Sequence, residues 1–84
     1  MTPPTKRRSL SDSDRYLISG LAHGVPVGKL PKIIESFGIE ANSMSSIEKN
    51  LQALRKKFNC YTNAQLVYQF RNQVLKIDVD KILG

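Results

Sequence analysis

Cysteine is nearly missing from this chain of 84 residues: Cys60 stands alone. One thiol cannot staple a fold, and with no CxxC pair or Cys/His cluster there is no zinc site. Cys60 therefore reads as a small buried apolar residue in a reducing cytosol. Tryptophan is absent, and tyrosine and phenylalanine supply three residues each. That leaves few rings for stacking RNA bases, and the basic helix described below lacks the aromatic surplus of a membrane-surface helix. No run of 18 apolar residues exists, so no segment is expected to span a membrane. The opening MTPPTKRRSLSDSD has basic residues but no apolar stretch behind them, unlike a secretory leader.

Catalytic equipment is equally scarce. His23 is the only histidine, next to Gly24 at the expected end of a helix, where it reads as a terminal cation or a surface residue. One histidine without a strained nucleophile turn is not a triad. Asp78 and Asp80 are a poor metal site, and Gly20, Gly24 and Gly28 match neither phosphate-loop nor dinucleotide spacing. The expectation is a protein that is not an enzyme and that needs no cofactor or metal.

What the chain does have is positive charge. Thirteen Lys and Arg face seven Asp and Glu, a net charge of +6. Such a balance suits a polyanionic partner, or simply a soluble basic domain, and placement decides between them.

The length suits one small domain. Residues 1–9, MTPPTKRRS, read as a flexible basic arm, residues 10–77 as the folded domain and 78–84 as a short tail. Ser11 and Asp14 have capping-box spacing, and Leu17, Ile18 and Leu21 follow at helical intervals with Tyr16 beside them. A first helix is expected over about 12–22, with Gly24 in the left-handed position after it. VPVGKLP (25–31) is a connector. KIIESF forms a short second helix ending at Gly38, with Ile33, Ile34 and Phe37 inward. A third helix, capped by Asn42 or Ser43, is expected over about 44–58, with Asn59 as its left-handed stop. A fourth, capped by Thr62 or Asn63, is expected over about 63–76. It carries two apolar strips, one of Ala64, Val67, Tyr68 and Leu75, the other of Leu66, Phe70 and Ile77. One strip is enough for a surface helix, so the second needs an explanation: a second copy, packing against the N-terminal arm, or a further domain. The expected architecture is a compact all-α four-helix domain containing a helix-turn-helix around the corner at 38–43.

The third helix carries the functional argument. At 100° per residue, Ile47, Leu51, Leu54 and Phe58 share one side. Burying them yields roughly 6–12 kcal/mol of gross transfer energy before chain entropy is subtracted, which fixes the orientation. The opposite face then presents Ser45, Lys49, Gln52, Ala53 and Lys56, flanked by Ser46, Asn50 and Lys57 on one side and by Glu48 and Arg55 on the other. Lys, Gln, Asn and Ser hydrogen-bond base edges, and Ala53 lets a helix approach closely. Lys56 and Lys57 lie further along, where a helix leaving the major groove passes phosphates. A solvated charged face complementing the helix dipole is the plainer account of the same residues. Glu48 is a negative charge near where phosphates would lie. It suits a cytosine amino group, a pairing with Arg55 or Lys49, or a protein that has lost ordinary DNA contacts.

LSDSDRYLISGLAHG (10–24) resembles the opening of the LuxR/GerE-type helix-turn-helix domain in Leu10, Ser11, Asp14, Leu17, Ile18, Leu21, Ala22 and Gly24. PKIIESFGI resembles its scaffold helix, ending Phe37, Gly38, Ile39. SSIEKNLQALRKKFNCYTNAQLV resembles its recognition helix and the start of its last helix, through Ser46, Ile47, Leu51, Leu54, Lys57, Phe58, Ala64 and Val67. The resemblance covers about 10–70. The chain departs from the pattern at Gly20, Glu48 and Asn50 and in longer connectors at 25–30 and 40–43. The resemblance implies transcription regulation, DNA contact through the third helix and dimerisation through the fourth, with Leu66, Phe70 and Ile77 at the dimer interface. The expected contacts to double-stranded DNA are Ser45, Ser46, Lys49, Asn50, Gln52, Ala53, Lys56 and Lys57. The expected setting is the cytoplasm, on the nucleoid, with a second copy or another regulator as dimer partner. The alternative is a protein-interaction module of the same fold that docks another regulator and does not read DNA.

Overall fold

Helix α1 (Asp12–Ala22) starts where Ser11 accepts the N–H of Asp14 through its side chain, at 3.1 Å. It ends at His23 and Gly24, the latter with φ 84°. The computed structural model describes residues 10–40 and 42–84, so the arm expected at 1–9 and Ala41 in the 40–43 corner lie outside the described residues. A 3-10 turn over Val27–Lys29 leads into α2 (Leu30–Ser36), with Pro31 in its first turn. Helix α3 (Met44–Lys57) is capped by Ser43, and Asn59 follows it with φ 61°. Helix α4 (Asn63–Gln69) is capped by Thr62, while Gln65 Oε1 reaches back to accept the N–H of Tyr61. A second 3-10 turn (Arg71–Gln73) and an extended stretch precede α5 (Val79–Leu83), which Asp78 caps. The fold is all-α and compact, and no strand forms among the described residues.

The core is one apolar cluster built by α1 to α4, with α5 packed against it. Leu17 and Ile18 of α1, Leu30, Ile33 and Ile34 of α2, Ile47, Leu51 and Leu54 of α3, and Leu66 of α4 are all buried. Gly20 allows α1 and α2 to meet: a Cβ there would stand 2.7 Å from Leu30 Cδ2. Helix α1 touches α2, α3 and α4, and α2 also packs against α3 and α5.

Several expectations are corrected. Phe37 is not inward: it is 37% exposed and stacks on Tyr16 with ring centroids 4.1 Å apart. Helix α4 stops at Gln69 rather than near 76. Leu66, Phe70 and Ile77, expected at a dimer interface, are 0%, 7% and 6% exposed and belong to the chain's own core. Phe70 sits edge-on to Phe58, with centroids 4.7 Å apart. The two apolar strips of the fourth helix are thus an inner one and an outer one.

The cause of the early stop is tertiary. Arg15, Ser19 and His23 are spaced four apart, so they form a single stripe along α1. Against them, running parallel, lie Gln73, Leu75 and Ile77, spaced two apart. Arg15 Nε and Nη2 each donate to Gln73 O at 3.4 Å. The N–H of Leu75 donates to Ser19 Oγ at 2.7 Å, and that of Ile77 to His23 Nε2 at 3.3 Å. Val74, with φ −68° and ψ 130°, is extended between the first two rungs. The stretch expected to finish the fourth helix is therefore a strap, and its main chain is held by side chains of α1. His23 lies exposed at the end of α1, and both of its ring nitrogens bond within the fold. Because Nε2 accepts from Ile77, Nδ1 carries the ring hydrogen and donates to Ser19 O at 2.8 Å. The tail expected at 78–84 is not separate either, since Val79, Ile82 and Leu83 pack against the core.

Candidate nucleic-acid interface

Helix α3 is held by its apolar side. Ile47, Leu51, Leu54 and Phe58 are buried, and that anchoring leaves roughly half of the helix circumference to solvent. Ser45, Lys49, Gln52, Ala53, Lys56 and Lys57 are exposed, and Ser46 and Asn50 are half-buried at the margin. All eight residues expected to meet DNA thus lie on one helix, and six of them are open. Among the described residues, the α3 side chains that hydrogen-bond within the fold are Ser46 and Arg55. Lys57 Nζ lies 5.4 Å from the centroid of the Phe58 ring.

The two ends of α3 differ electrostatically. Its last turn carries Arg55, Lys56 and Lys57, while its first turn carries no acid, unlike that of α1 with Asp12 and Asp14. The amino end keeps its partial positive charge, and the carboxyl end is overlaid with full positive charges. Ser43 Oγ accepts the N–H of Ser46 at 3.1 Å and donates to Ser46 Oγ at 3.0 Å, which fixes the entry into the helix.

One flank of the ridge is grooved. Val27, Glu48, Leu51, Gln52, Arg55 and Asn63 line an open groove of about 510 Å³. Arg55 Nη1 donates to Asn63 Oδ1 at 2.5 Å, so this guanidinium braces α3 against α4. Glu48 is exposed on the groove wall. Sequence reasoning passed over Val27 and Asn63 here, because a connector residue meets a helix flank only once the chain is folded. It also passed over Tyr61, which is 86% exposed just beyond α3. The sequence signal for Tyr61 was its place between the left-handed Asn59 and the cap Thr62, where the chain turns outward.

A second, apolar cleft of about 330 Å³ lies between α1 and α4, lined by Leu21, Ala22, Asn63, Ala64 and Val67. With Tyr68, which is 67% exposed, Ala64 and Val67 belong to the outer strip of α4. The guanidinium carbon of Arg71 stands 4.2 Å from the Tyr68 ring centroid.

Among the described residues no three His, Cys, Asp or Glu side chains gather as metal ligands, and no helix is long and apolar enough to cross a membrane. Comparisons of the chain with protein-family models, with curated proteins and with solved structures return no match.

Proposed function

We propose that the protein is a sequence-specific, double-stranded DNA-binding transcription regulator that lays α3 in the major groove, with α2 and α3 acting as a helix-turn-helix. The observation that carries this reading is the open ridge of Ser45, Lys49, Gln52, Ala53 and Lys56 directly opposite the buried teeth of the same helix. From Ser45 to Lys56 the ridge is roughly 16 Å long at 1.5 Å per residue, and a major groove about 12 Å wide admits a helix. Lys49 and Gln52 have the chemistry to read base edges; Lys56 and Lys57 suit phosphates. The likeness to the LuxR/GerE-type domain adds to this reading through the residues quoted above and nothing more. Dimerisation through α4, if it accompanies DNA binding, falls to the outer strip of Ala64, Val67 and Tyr68.

A second reading is a protein-interaction module that docks another regulator without reading DNA. The apolar cleft between α1 and α4 and the exposed carboxylate of Glu48 favour it.

Fluorescence anisotropy with duplexes selected from random DNA, across a salt series, separates the two. Lys49→Ala is expected to lower affinity for the selected site by about 1–3 kcal/mol, and Lys56→Ala to weaken all duplexes alike and reduce the salt slope by about 1. Unchanged binding in the double variant rejects the α3 surface. No binding at about 50 mM salt, where even non-specific association is strong, rejects DNA altogether.

A further inference from the structure

The strap after Phe70 is recognised in an unusual way for a core element: by its peptide groups. The three rungs to α1 engage the C=O of Gln73 and the N–H groups of Leu75 and Ile77, and only Ile77 among residues 71–78 is fully buried. Beyond it, α5 lies against α2. Every one of these contacts joins the strap to α1 or α2, and none depends on which copy of the chain supplies it.

The link that returns the strap to its own α1 is weakly determined. Arg71 and Asn72 are exposed, and no Gly or Pro stands between Phe70 and Ile77. The helical pattern of α4 continues through FRNQVLKI, so local sequence favours a helix where the structure has a 3-10 turn and an extended stretch. The rungs, the burial of Ile77 and the packing of Val74, Val79, Ile82 and Leu83 against the core oppose it.

We propose that residues 76–84 form an exchangeable strap, and that two copies of this chain dimerise by each seating its strap across α1 and α2 of the other, α4 running on as one helix through the link at 70–75. Reciprocal exchange reproduces the Ile77 rung, the burial of Ile77 and the packing of α5, while the continued helix gives Gln73 O and the Leu75 N–H intrahelical partners in place of Arg15 and Ser19, so the closed and exchanged forms differ in the link and in association entropy. A strap on a short link has an effective concentration in the millimolar range for its own groove. The closed monomer therefore dominates in dilute solution, and exchange emerges as protein concentration nears that range. Straightening or shortening the link removes the advantage of the closed form.

The test uses the full chain without DNA, so its outcome is separate from that of the major-groove reading. Size exclusion with light scattering is run from about 20 µM to about 2 mM, which brackets the expected effective concentration. Wild type is compared with a variant lacking Arg71 and Asn72, and with Val74→Pro. Proline fits the φ of −68° at Val74 in the closed form but breaks a continuous helix there. The shortened variant is expected to dimerise roughly 100-fold more tightly than wild type, and Val74→Pro roughly 100-fold more weakly. In a dimer mixed from two isotope labels, the nuclear Overhauser effect between the His23 ring and Ile77 must cross between copies. A dimer in which that effect stays within one chain overturns the proposal and assigns dimerisation to another surface. So does a folded shortened variant that remains monomeric. If the shortened variant fails to fold, equal dimerisation of wild type and Val74→Pro, or none in either up to the highest concentration, also overturns it.

Discussion

The imidazole of His23 accepts the main-chain N–H of Ile77 at 3.3 Å across 54 positions of sequence. Its other nitrogen meets Ser19 O, and Ser19 Oγ takes the N–H of Leu75, so two side chains of α1 serve two peptide groups of the strap. Ser19→Ala leaves the Leu75 N–H without its partner in a partly buried place. The loss is about 1–3 kcal/mol, offset by less than about 1 kcal/mol from the better helix propensity of alanine. Urea denaturation is expected to show a net destabilisation of about 1–2 kcal/mol. A stability equal to wild type would mean that this bond is dispensable.

Nitrogen-15 spectra give a second check on the same pair. While both bonds are made, His23 should be found with its hydrogen on Nδ1, the less common form of a free imidazole. Finding it on Nε2 would remove the Ile77 rung.

Gly20 is expected to resist substitution although it lies inside a helix. Alanine there adds about 1 kcal/mol of helix propensity, but its Cβ meets Leu30 Cδ2 at 2.7 Å, and Leu30 is fully buried with little room to shift. Overpacking costs about 1–3 kcal/mol, so Gly20→Ala is expected to be neutral to mildly destabilising and Gly20→Val clearly worse. Thermal melts of the two variants test the ordering.

Much of this was readable in advance, and the failures share one cause. The bounds of α1, the cap at Ser11, the left-handed Asn59 and the inward face of α3 all follow from local chemistry, and each is present, while of the paired cap candidates Asn42 or Ser43 and Thr62 or Asn63 the structure uses Ser43 and Thr62. The end of α4 does not, because nothing in FRNQVLKI breaks a helix; side chains some 55 positions away do. The strip of Leu66, Phe70 and Ile77 was expected at a dimer interface and instead fills the core, since either strip has the apolar side chains to do so. The exposed ridge of α3 was legible because the inward teeth of that helix had no rival face. Val27 and Asn63 beside it were not, because they reach the groove only through the packing of three elements.

The two strips of α4 now make opposite predictions. Leu66→Ala is expected to lower stability by about 2–5 kcal/mol, the range for a fully buried leucine. Val67→Glu, on the half-buried outer strip, should leave the fold largely intact and weaken any partner that sits in the α1–α4 cleft. Chemical denaturation measures the first effect and light scattering or pull-down the second.

Glu48→Gln removes the one acid on the face of α3. If α3 lies in DNA, affinity for all duplexes should rise by about 0.3–1 kcal/mol at low salt, with the gain shrinking as salt is added. A loss confined to sites bearing cytosine at one position would instead identify the carboxylate as an acceptor for its amino group.

The rungs between α1 and the strap work like a vernier. Four residues of helix advance about 6.0 Å while two residues of strand advance about 6.6 Å, so the two scales drift apart by about 0.6 Å per rung. The stripe also rotates about 40° around the helix at each step. Three rungs absorb this; a fourth would ask a hydrogen bond to stretch by nearly 2 Å and turn a corner. The series ends at His23, where α1 itself ends. Lengthening either partner would add nothing to the grip, and any tighter hold on the C-terminal segment has to come from the oily side chains of α5.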